Sequence, residues 1–504
     1  MASIAWGATL VGVEALPVSV EIDLLRRLPS VVIIGLPAPS VRESADRVRS
    51  AILASGFEWP RARVVISLAP ADLRKDGTAF DLPIAVGVLS AAGRLDPARV
   101  ARWTLAGELS LDGRLRPVRG TLAIGAMALA EGRDGLIVPA GNAEEAALVE
   151  GLDVRAARDL TEVVRFLTGE SDLPRAVPPA QDLAWTGPDL AEVRGQAQAR
   201  LALEVAAAGG HNLLLEGPPG CGKSMLAARL PSILPRMTSA EALAVTRIHG
   251  VAGLLAVERG VVRRRPFRAP HHSVSAAALV GGASLRPGEA SLAHHGVLFL
   301  DEFPEFPRHA REALRGPLED RAVVIARAGG HIVMPASFTL VAAANPCPCG
   351  YHGHPTRPCT CPPTLRERYR ARLSGPIVDR IDLRVELSVV PAAELLAPHA
   401  VEPSAQVRLR VEHARTRQAE RYAGRFACNA ELGADDAWAA ADPTTEAATT
   451  LERHLERSRA SARAGRRMLK VARTLADLDG CARVTGIHVR AAIGLRLDDA
   501  PVTP

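Results

Sequence analysis

A phosphate-binding loop constrains this chain more than any other feature of its sequence. Residues 217–224 read GPPGCGKS, which matches the pattern GxxxxGK followed by Ser or Thr. The apolar run 212–215 precedes the loop and the helical stretch MLAARL follows it, which is the context that the motif requires. Glycines let backbone N–H groups turn toward phosphates, and the following helix directs its positive end at them. The sequence therefore predicts a nucleotide site on a parallel α/β sheet.

Two side chains of the loop have specific chemical roles. Lys223 reaches the β- and γ-phosphates of a nucleotide, and the Ser224 hydroxyl binds Mg²⁺. Lysine occurs at only two other positions, 75 and 470, so Lys223 stands out against the arginine-rich composition. The residues expected to contact the nucleotide or its metal are Gly217, Pro218, Pro219, Gly220, Cys221, Gly222, Lys223, Ser224 and Asp301.

Polar residues follow two further apolar runs. The run 296–300 continues into Asp301 and Glu302, and the run 338–343 leads to Asn345. At the carboxyl edge of a parallel sheet, Asp301 would lie beside the metal and Glu302 could polarise the attacking water. Asn345 could orient that water near the γ-phosphate. Each signal is common by itself, but in this order behind a phosphate loop they predict an ATP-hydrolysing site.

Composition narrows the class of protein. Apolar residues make up 48% of the chain and charged residues 23%, as in ordinary globular proteins. The net charge of +6 and pI near 9.2 favour anionic partners such as nucleic acid, although arginine-rich composition alone accounts for much of that charge. Aromatics at 3% argue against broad base-stacking surfaces. We find neither a membrane-length apolar run nor a secretion signal, and we expect a cytoplasmic location.

The chain divides into three predicted domains. Residues 1–168 alternate apolar runs with Gly and Pro and are predicted to form an α+β domain. The Pro-rich stretch 169–188 is predicted to be a linker. Residues 189–390 have the pattern of a doubly wound parallel sheet, and residues 391–504 are helical in periodicity. The predicted strands are 31–34, 64–68, 136–138, 212–215, 296–300 and 338–343, and the predicted helices include 40–55, 120–131, 407–422 and 461–478.

Four cysteines lie close together behind Asn345. They form two CxC pairs, and the nine residues between the pairs include His352 and His354. Four thiolates this close together in the sequence could bind a tetrahedral zinc ion that stabilises a loop. A redox-labile loop or four unliganded thiols are the alternatives, since zinc sites more often use CxxC. The candidate ligands are Cys347, Cys349, Cys359 and Cys361.

Long motifs give the chain a family resemblance. The segments RPFRAPHHSVS (265–275), GEASLAHHGVLFLDEFPEF (288–306) and SGPIVDRIDL (374–383) resemble the magnesium-chelatase-related branch of the AAA+ ATPases. Within that branch the chain is similar to the ComM/YifB group along nearly its whole length. The resemblance implies an N-terminal domain, an AAA+ motor at 189–390 and a helical lid at 391–504. It also implies ATP and Mg²⁺ as cofactors, a homo-hexameric ring and a bacterial host.

The resemblance assigns roles to two arginines. Arg380 in VDRIDL occupies the position of the arginine finger, which a subunit donates to the ATP of its neighbour. Arg463 in SARAGRR matches the sensor arginine of the lid. Without the family pattern, either arginine would be interpreted as a solvated surface charge.

The same family carries hairpins inserted in the motor, which yield candidate DNA contacts. Residues 322–335 are predicted to form two strands around Ala-Gly-Gly. In related ring helicases such a hairpin projects into the pore, where Arg327 and His331 could follow a DNA backbone. Arg263, Arg264 and Arg265 lie in a second candidate insert, with a solvated strand or a subunit contact as the alternative.

The N-terminal domain resembles the proteolytic domain of Lon, a fold shared with ribosomal protein S5-like modules. The resemblance rests on LAPADLRKDGTAFDLPIAVGVL (68–89). Ala79 occupies the position of the nucleophilic serine, and Leu122 stands where the lysine is expected. Because a Ser/Lys dyad needs both groups, we predict no peptidase activity. The domain is expected to serve as a platform for DNA or protein partners.

Three functions follow from these features. An ATP-dependent DNA motor would promote branch migration in homologous recombination or natural transformation, with DNA and recombination proteins as partners. A protein-remodelling or magnesium-chelatase-like chaperone ATPase is the alternative. An ATP-dependent protease is disfavoured by Ala79 and Leu122.

Overall fold

The chain builds two β-sheets followed by a group of helices. The computed structural model describes residues 3–178, 187–255, 261–282, 286–327, 330–373, 375, 377–391, 394 and 401–496. The first large sheet lies in residues 3–157 and the second in residues 213–386. None of the described helices combines the length and the apolar character that crossing a membrane requires.

A mixed seven-stranded sheet organises the N-terminal region. The strands of this region are β1 (Ser3–Val11), β2 (Glu14–Leu25), β3 (Ser30–Ile34), β4 (Arg63–Ala69), β5 (Trp103–Leu105), β6 (Glu108–Leu109), β7 (Leu115–Arg116), β8 (Gly135–Pro139) and β9 (Asp153–Ala157). The sheet order is β3-β4-β2-β1-β5-β8-β9, and β6 and β7 form a separate small hairpin. The antiparallel β1–β2 hairpin lies at its centre, and the outer pairs are parallel.

Helices cover this sheet. They are α1 (Pro39–Arg42), α2 (Ser44–Ala54), α3 (Asp81–Ala91), α4 (Pro97–Ala101), α5 (Thr121–Ala130), α6 (Ala143–Ala146) and α7 (Leu160–Thr168). Helix α3 is apolar on every side and is buried along almost its whole length. An all-round apolar helix is stable only inside a core, which places α3 against β1 and β2.

A parallel five-stranded sheet forms the second region, with the order β11-β12-β15-β10-β16. Its strands and an inserted hairpin are β10 (Leu213–Glu216), β11 (Phe267–Arg268), β12 (Val297–Leu300), β13 (Ala322–Arg327), β14 (Gly330–Pro335), β15 (Thr339–Ala344) and β16 (Leu383–Glu386). Leu213 and Leu215 face one hydrophobic cluster, and Leu214 faces another. Burial on both faces explains the uninterrupted apolar strands.

The helices of this region include the one that carries the phosphate loop. They are α8 (Ala197–Gly209), α9 (Lys223–Ile233), α10 (Ser239–Ala252), α11 (Ala276–Val280), α12 (Glu289–Leu292), α13 (Arg308–Ala313), α14 (Arg315–Asp320) and α15 (Pro363–Ala371). Helices α8 and α9 pack on the cluster that contains Leu213 and Leu215.

The C-terminal region is helical and shares that cluster. Its helices are α16 (Ser404–Tyr422), α17 (Ala434–Ala441), α18 (Thr445–Ser458), α19 (Ala462–Leu478) and α20 (Gly486–Gly494). Met468, Leu469 and Ala472 of α19 join the core that α8 and α9 build. The helical region is therefore packed directly on the parallel sheet's helices.

The N-terminal region contacts the second region through the β1–β2 turn. Val13 packs in a small buried cluster with Ile248 of α10 and Leu292 of α12. Glu14 forms an ion pair with Arg247 at 3.2 Å. The two sheets are thus linked by α10.

The structure confirms the predicted mixture of an α/β parallel-sheet region and a helical C-terminus. The three predicted motor strands differ from the observed ones by one residue or less at each end. The predicted helix 40–55 is two helices, because α1 ends before Glu43 and α2 begins after it. The hairpin 322–335 is present as β13 and β14, with positions 328–329 outside the described residues. Part of the predicted linker, 179–186, also lies outside them, and the predicted domain boundaries stay predictions.

Candidate nucleotide site

The phosphate loop joins the carboxyl end of β10 to α9. Gly220 and Gly222 have φ of 79° and 95°, which is the left-handed region that glycine enters without strain. At Gly217, an added Cβ would lie 2.5 Å from the carbonyl oxygen of Leu387. The backbone path of the loop therefore depends on glycine at these positions. It places successive N–H groups at the N-terminus of α9, which suits a phosphate group.

Lys223 is held within the loop by oxygen atoms. Its ammonium donates to the carbonyls of Gly217 at 2.7 Å and Pro218 at 2.9 Å, and to Asn345 Oδ1 at 3.0 Å. The side chain is buried, and this desolvation lowers the pKa of Lys223. Phosphate oxygens would replace the carbonyls as acceptors and would supply the negative charge that a buried ammonium needs. The contact to Asn345 brings the end of β15 to the loop.

The expected metal ligands are in contact with each other. The Ser224 hydroxyl donates to Asp301 Oδ2 at 2.7 Å. Asp301 follows β12, and β15 lies between β12 and the loop strand β10. A hydroxyl and a carboxylate oxygen are the hard ligands that Mg²⁺ prefers, and Mg²⁺ keeps further positions for water and phosphate. These residues fit a magnesium ion bound together with a nucleotide.

Glu302 adopts a strained backbone conformation. Its φ is 51°, in the left-handed region, and its N–H donates to Asp301 Oδ1 at 2.9 Å. Such strain in a residue other than glycine concentrates at functional sites. The Glu302 carboxylate pairs with His272 Nδ1 at 3.1 Å. His272 lies beyond the carboxyl end of β11, the strand next to β12. A carboxylate in this place can accept a proton from water, and His272 restrains it.

Sequence reasoning did not assign a role to His272 or to Tyr369. His272 is in a quoted motif, and its place beside the acid-bearing strand depends on the pairing of β11 with β12. The Tyr369 side chain lies beside the backbone of Asn345, and burial raises the pKa of Tyr369 to about 12. Tyr369 lies in α15, which is separated from Asn345 by the cysteine loop. No local sequence pattern therefore predicts that the two residues are close.

Arg380 and Arg463 lie together at the other edge of the sheet. They line a cavity of about 250 Å³ with Asn212, Phe338 and Asp382. Those three residues immediately precede β10, β15 and β16, so the cavity is at the amino edge of the parallel strands. The strands are four to six residues long, which separates this edge from the phosphate loop by about 13 Å or more.

The two arginines have different surroundings in this cavity. The Arg380 side chain is only 6% exposed and forms an ion pair with Glu319. Arg463, near the start of α19, is exposed. The Asn212 side chain donates to the carbonyl of Arg380 at 2.9 Å and fixes the backbone there. Neither arginine is placed at the phosphate loop of its own chain.

Known protein families match the N-terminal, parallel-sheet and helical regions of the chain separately. Residues 189–395 match the family model described as magnesium chelatase, subunit ChlI. Residues 20–142 match the model of subunit ChlI of Mg-chelatase, and residues 401–496 match the ChlI C-terminal model. The chain is 42% identical to competence protein ComM of Haemophilus influenzae over 503 residues, covering 98% of this chain and 97% of that protein. It belongs to the ComM/YifB group of the magnesium-chelatase-related AAA+ ATPases.

Two further relatives of the ComM/YifB group span the chain in the same way. The uncharacterized protein YifB of Escherichia coli is 42% identical over 501 residues, 99% of this chain and 97% of its own length. An uncharacterized protein of Mycobacterium tuberculosis is 44% identical over 497 residues, 98% of each chain. The family and the observed loop agree that the chain is an ATPase that uses ATP and Mg²⁺.

The hairpin that the family resemblance predicts is present as β13 and β14. Ile325 and Ile332 of β13 and β14 pack on its core, whereas Val324, Val333 and His331 are exposed. The side chain of Arg327 lies outside the described residues. His331 and Arg327 stay predicted DNA contacts.

The three basic residues of the second candidate insert differ in their surroundings. Arg265 donates to the carbonyls of Pro235 at 2.6 Å and His295 at 2.7 Å and pairs with Glu241 at 3.1 Å. These contacts hold the Arg265 guanidinium within the fold, and Arg265 stays a predicted DNA contact. Arg263 is half-buried and Arg264 is exposed, and both stay predicted contacts.

The four clustered cysteines converge on one point. Their sulfur atoms all lie within 4.8 Å of one another. The cluster begins two residues after Asn345 and ends two residues before α15. The other cysteines, at positions 221, 428 and 481, are free and lie outside the cluster.

The positions compared with the Lon dyad have no nucleophile–base pair. Ala79 accepts a backbone hydrogen bond from Gly107 at 3.1 Å, and Leu122 is buried at the start of α5. The Leu122 N–H donates to the buried carboxylate of Glu145 at 3.2 Å. Desolvation raises the pKa of Glu145. The side chains at 79 and 122 cannot perform Ser/Lys chemistry. The Lon-like character of this domain stays a prediction.

Proposed function

We propose that this protein is an ATP-driven hexameric DNA motor that promotes branch migration in homologous recombination, including the integration of transforming DNA. The observation that carries the proposal is the division of the site between the two edges of one sheet. The phosphate loop, Asp301, Glu302 and Asn345 meet at the carboxyl edge, while Arg380 lies at the amino edge.

The chemistry of phosphoryl transfer explains why this division suits a ring. Negative charge on the γ-phosphate oxygens must be stabilised in the transition state, and an arginine supplied from outside the loop does this in many NTPases. When subunits pack head to tail, the amino edge of one can face the carboxyl edge of the next, and six such contacts close a ring. Arg380, with Arg463 beside it, would then complete the neighbour's site.

In this mechanism each residue of the carboxyl edge has one task. Lys223 and the loop N–H groups would bind the phosphates, and Ser224 and Asp301 would hold Mg²⁺, which would supply positive charge that lowers the barrier to phosphoryl transfer. Asn345 positions the attacking water, and Glu302 accepts its proton. Glu302 must leave His272 to do so, which makes that ion pair a restraint on hydrolysis.

The DNA part of the proposal is supported by the family and by the surface of the motor. The full-length relative from Haemophilus influenzae is named a competence protein. The hairpin β13–β14 packs one face on the core and exposes His331 on the other face. Movement of that hairpin during hydrolysis would draw a strand through the ring. The N-terminal domain would carry DNA or recombination proteins above it.

The test is ATP hydrolysis by the purified protein without DNA, with single-stranded DNA and with a four-way junction. We expect DNA to stimulate hydrolysis, the junction or the single strand most, and Lys223→Ala to abolish hydrolysis under all three conditions. Hydrolysis that needs Lys223 but is indifferent to DNA would overturn the DNA motor. That outcome would direct attention to protein remodelling or a chelatase-like chaperone role.

A further inference from the structure

The sulfur atoms of the cysteine cluster have the spacing of metal ligands. Cys347 Sγ lies 3.4 Å from Cys349 Sγ and 3.6 Å from Cys359 Sγ, and Cys349 Sγ lies 3.6 Å from Cys359 Sγ. A tetrahedral zinc ion with Zn–S bonds near 2.3 Å requires ligand sulfurs about 3.8 Å apart. Disulfide sulfurs would be about 2.05 Å apart. These three distances, with Cys361 Sγ within 4.8 Å of the other sulfurs, fit four ligands around one ion.

Backbone N–H groups also point at these sulfurs. The N–H of His352 donates to Cys347 Sγ at 3.3 Å, and the N–H of Cys349 donates to Cys361 Sγ at 3.4 Å. The N–H of Cys361 donates to Cys359 Sγ at 3.4 Å. Such hydrogen bonds stabilise the negative charge of thiolates, which is the form that binds a metal. Four soft thiolates in a tetrahedron select zinc over hard cations.

The loop that carries the cysteines touches the phosphate loop at Gly350. Gly350 has φ of 84°, and its N–H donates to the carbonyl of Cys347 at 2.9 Å. A Cβ added to Gly350 would lie 2.6 Å from both Cγ and Cδ of Pro219 and 3.9 Å from Cγ of Asn345. The backbone of the cysteine loop is therefore packed against the phosphate loop, next to the residue that bonds Lys223.

The ends of the cysteine loop are attached to the same site. Asn345 precedes its first cysteine by two residues, and its side chain accepts a hydrogen bond from Lys223 at 3.0 Å. Helix α15 follows the last cysteine, and its buried Tyr369 lies beside the Asn345 backbone. A fixed cysteine loop would thus restrain Asn345 from both directions along the chain.

We propose that Cys347, Cys349, Cys359 and Cys361 bind one Zn²⁺, and that the zinc-held loop is a brace that keeps Pro219 and Asn345 in the geometry that binds and hydrolyses ATP. The brace lies entirely within one subunit and includes none of the candidate DNA contacts. Its failure is therefore separate from failure of the DNA motor.

The first experiment measures metal and nucleotide binding together in the full-length protein. We expect about one zinc per chain by elemental analysis, and a visible spectrum typical of tetrahedral thiolate ligation after Co²⁺ substitution. Cys359→Ser combined with Cys361→Ser should lose the metal and weaken ATP binding by about tenfold to a hundredfold. Cys481→Ser, which changes an exposed cysteine outside the cluster, is the control and should change neither.

The second experiment separates the brace from the metal with two glycine variants. Gly350→Ala leaves all four cysteines intact but inserts a methyl group against Pro219. Gly353→Ala, at a φ of 77° in the same loop, meets nothing within 4 Å and is the matched control for backbone strain. We expect both variants to retain zinc. Only Gly350→Ala should lower kcat/KM for ATP, by about tenfold or more.

Several results would overturn the proposal. A purified protein that binds no zinc when supplied with it, or that holds iron instead, would exclude the zinc site. Normal ATP binding by the metal-free double variant would exclude the brace. Equal kcat/KM values for Gly350→Ala and Gly353→Ala would show that the Pro219 contact has no effect on catalysis. Melting temperatures measured in parallel identify any variant that fails to fold.

Discussion

The two edges of the parallel sheet, to which the proposed motor assigns the two halves of the chemistry, are assembled in different ways. At the carboxyl edge, each reactive residue follows a strand directly, as Asp301 follows β12 and Asn345 lies next to the end of β15. At the amino edge, Arg380 and Arg463 come from distant segments that meet around one cavity. In the proposed motor, the carboxyl edge binds ATP within one chain. The amino edge acts on the ATP of a neighbouring subunit.

The largest loss of ATP hydrolysis should come from a substitution at the amino edge, which does not bind ATP in its own chain. Arg380→Ala should lower kcat by about 1,000-fold to 100,000-fold, because it removes charge stabilisation from the neighbour's transition state. Its ATP affinity, measured with a fluorescent nucleotide, should stay near that of the unchanged protein. Arg457→Ala, which changes an exposed arginine of α18 outside the lining of this cavity, is the control and should keep most of the activity. Loss of ATP affinity in Arg380→Ala would place the arginine in its own site instead.

Glu302→Gln tests the proposed general base at the carboxyl edge. The amide keeps the shape of the side chain but accepts no proton, so kcat should fall by about 100-fold to 10,000-fold. ATP binding and ring assembly should persist, since Lys223, Ser224 and Asp301 are unchanged. Rate measurements and size determination with bound ATP check both expectations. A variant that retains normal turnover would remove Glu302 from the role of base.

His272→Ala should have the smallest effect and the opposite sign. The His272–Glu302 pair is partly exposed, with side chains 36% and 52% accessible, and such pairs contribute about 1 kcal/mol or less. Releasing Glu302 should therefore raise hydrolysis without DNA by up to about fivefold. His271→Ala changes the adjacent ring and serves as the control. A decrease in the DNA-free rate of His272→Ala would mean that the histidine assists catalysis rather than restraining it.

The sequence predicts the residues that meet at the carboxyl edge better than those that meet at the amino edge. Strand ends can be located from apolar runs, and the carboxyl edge of a parallel sheet follows from them, so Lys223, Ser224, Asp301 and Asn345 could be brought together in advance. Their observed contacts agree with that expectation. The amino edge depends on packing between distant segments, which periodicity does not encode.

Other features were outside the reach of sequence patterns for similar reasons. The central β1–β2 hairpin turns at Gly12 and Val13 without an Asn-Gly or Asp-Gly signal, and it was not predicted. The burial of Arg265 among carbonyls and Glu241 could not be distinguished from an exposed basic run. The predicted helix 40–55 is divided at Glu43, and no helix-breaking residue at that position predicts the division.

The most direct test of the shared site mixes two inactive variants before the ring assembles. Lys223→Ala subunits lack a working phosphate loop but keep Arg380, and Arg380→Ala subunits have the reverse defect. In a random equal mixture, about one quarter of the head-to-tail contacts would pair an intact loop with an intact arginine. We expect the mixture to recover roughly that fraction of normal ATP hydrolysis. A mixture no more active than the two variants measured separately would contradict the claim that Arg380 serves the neighbouring subunit.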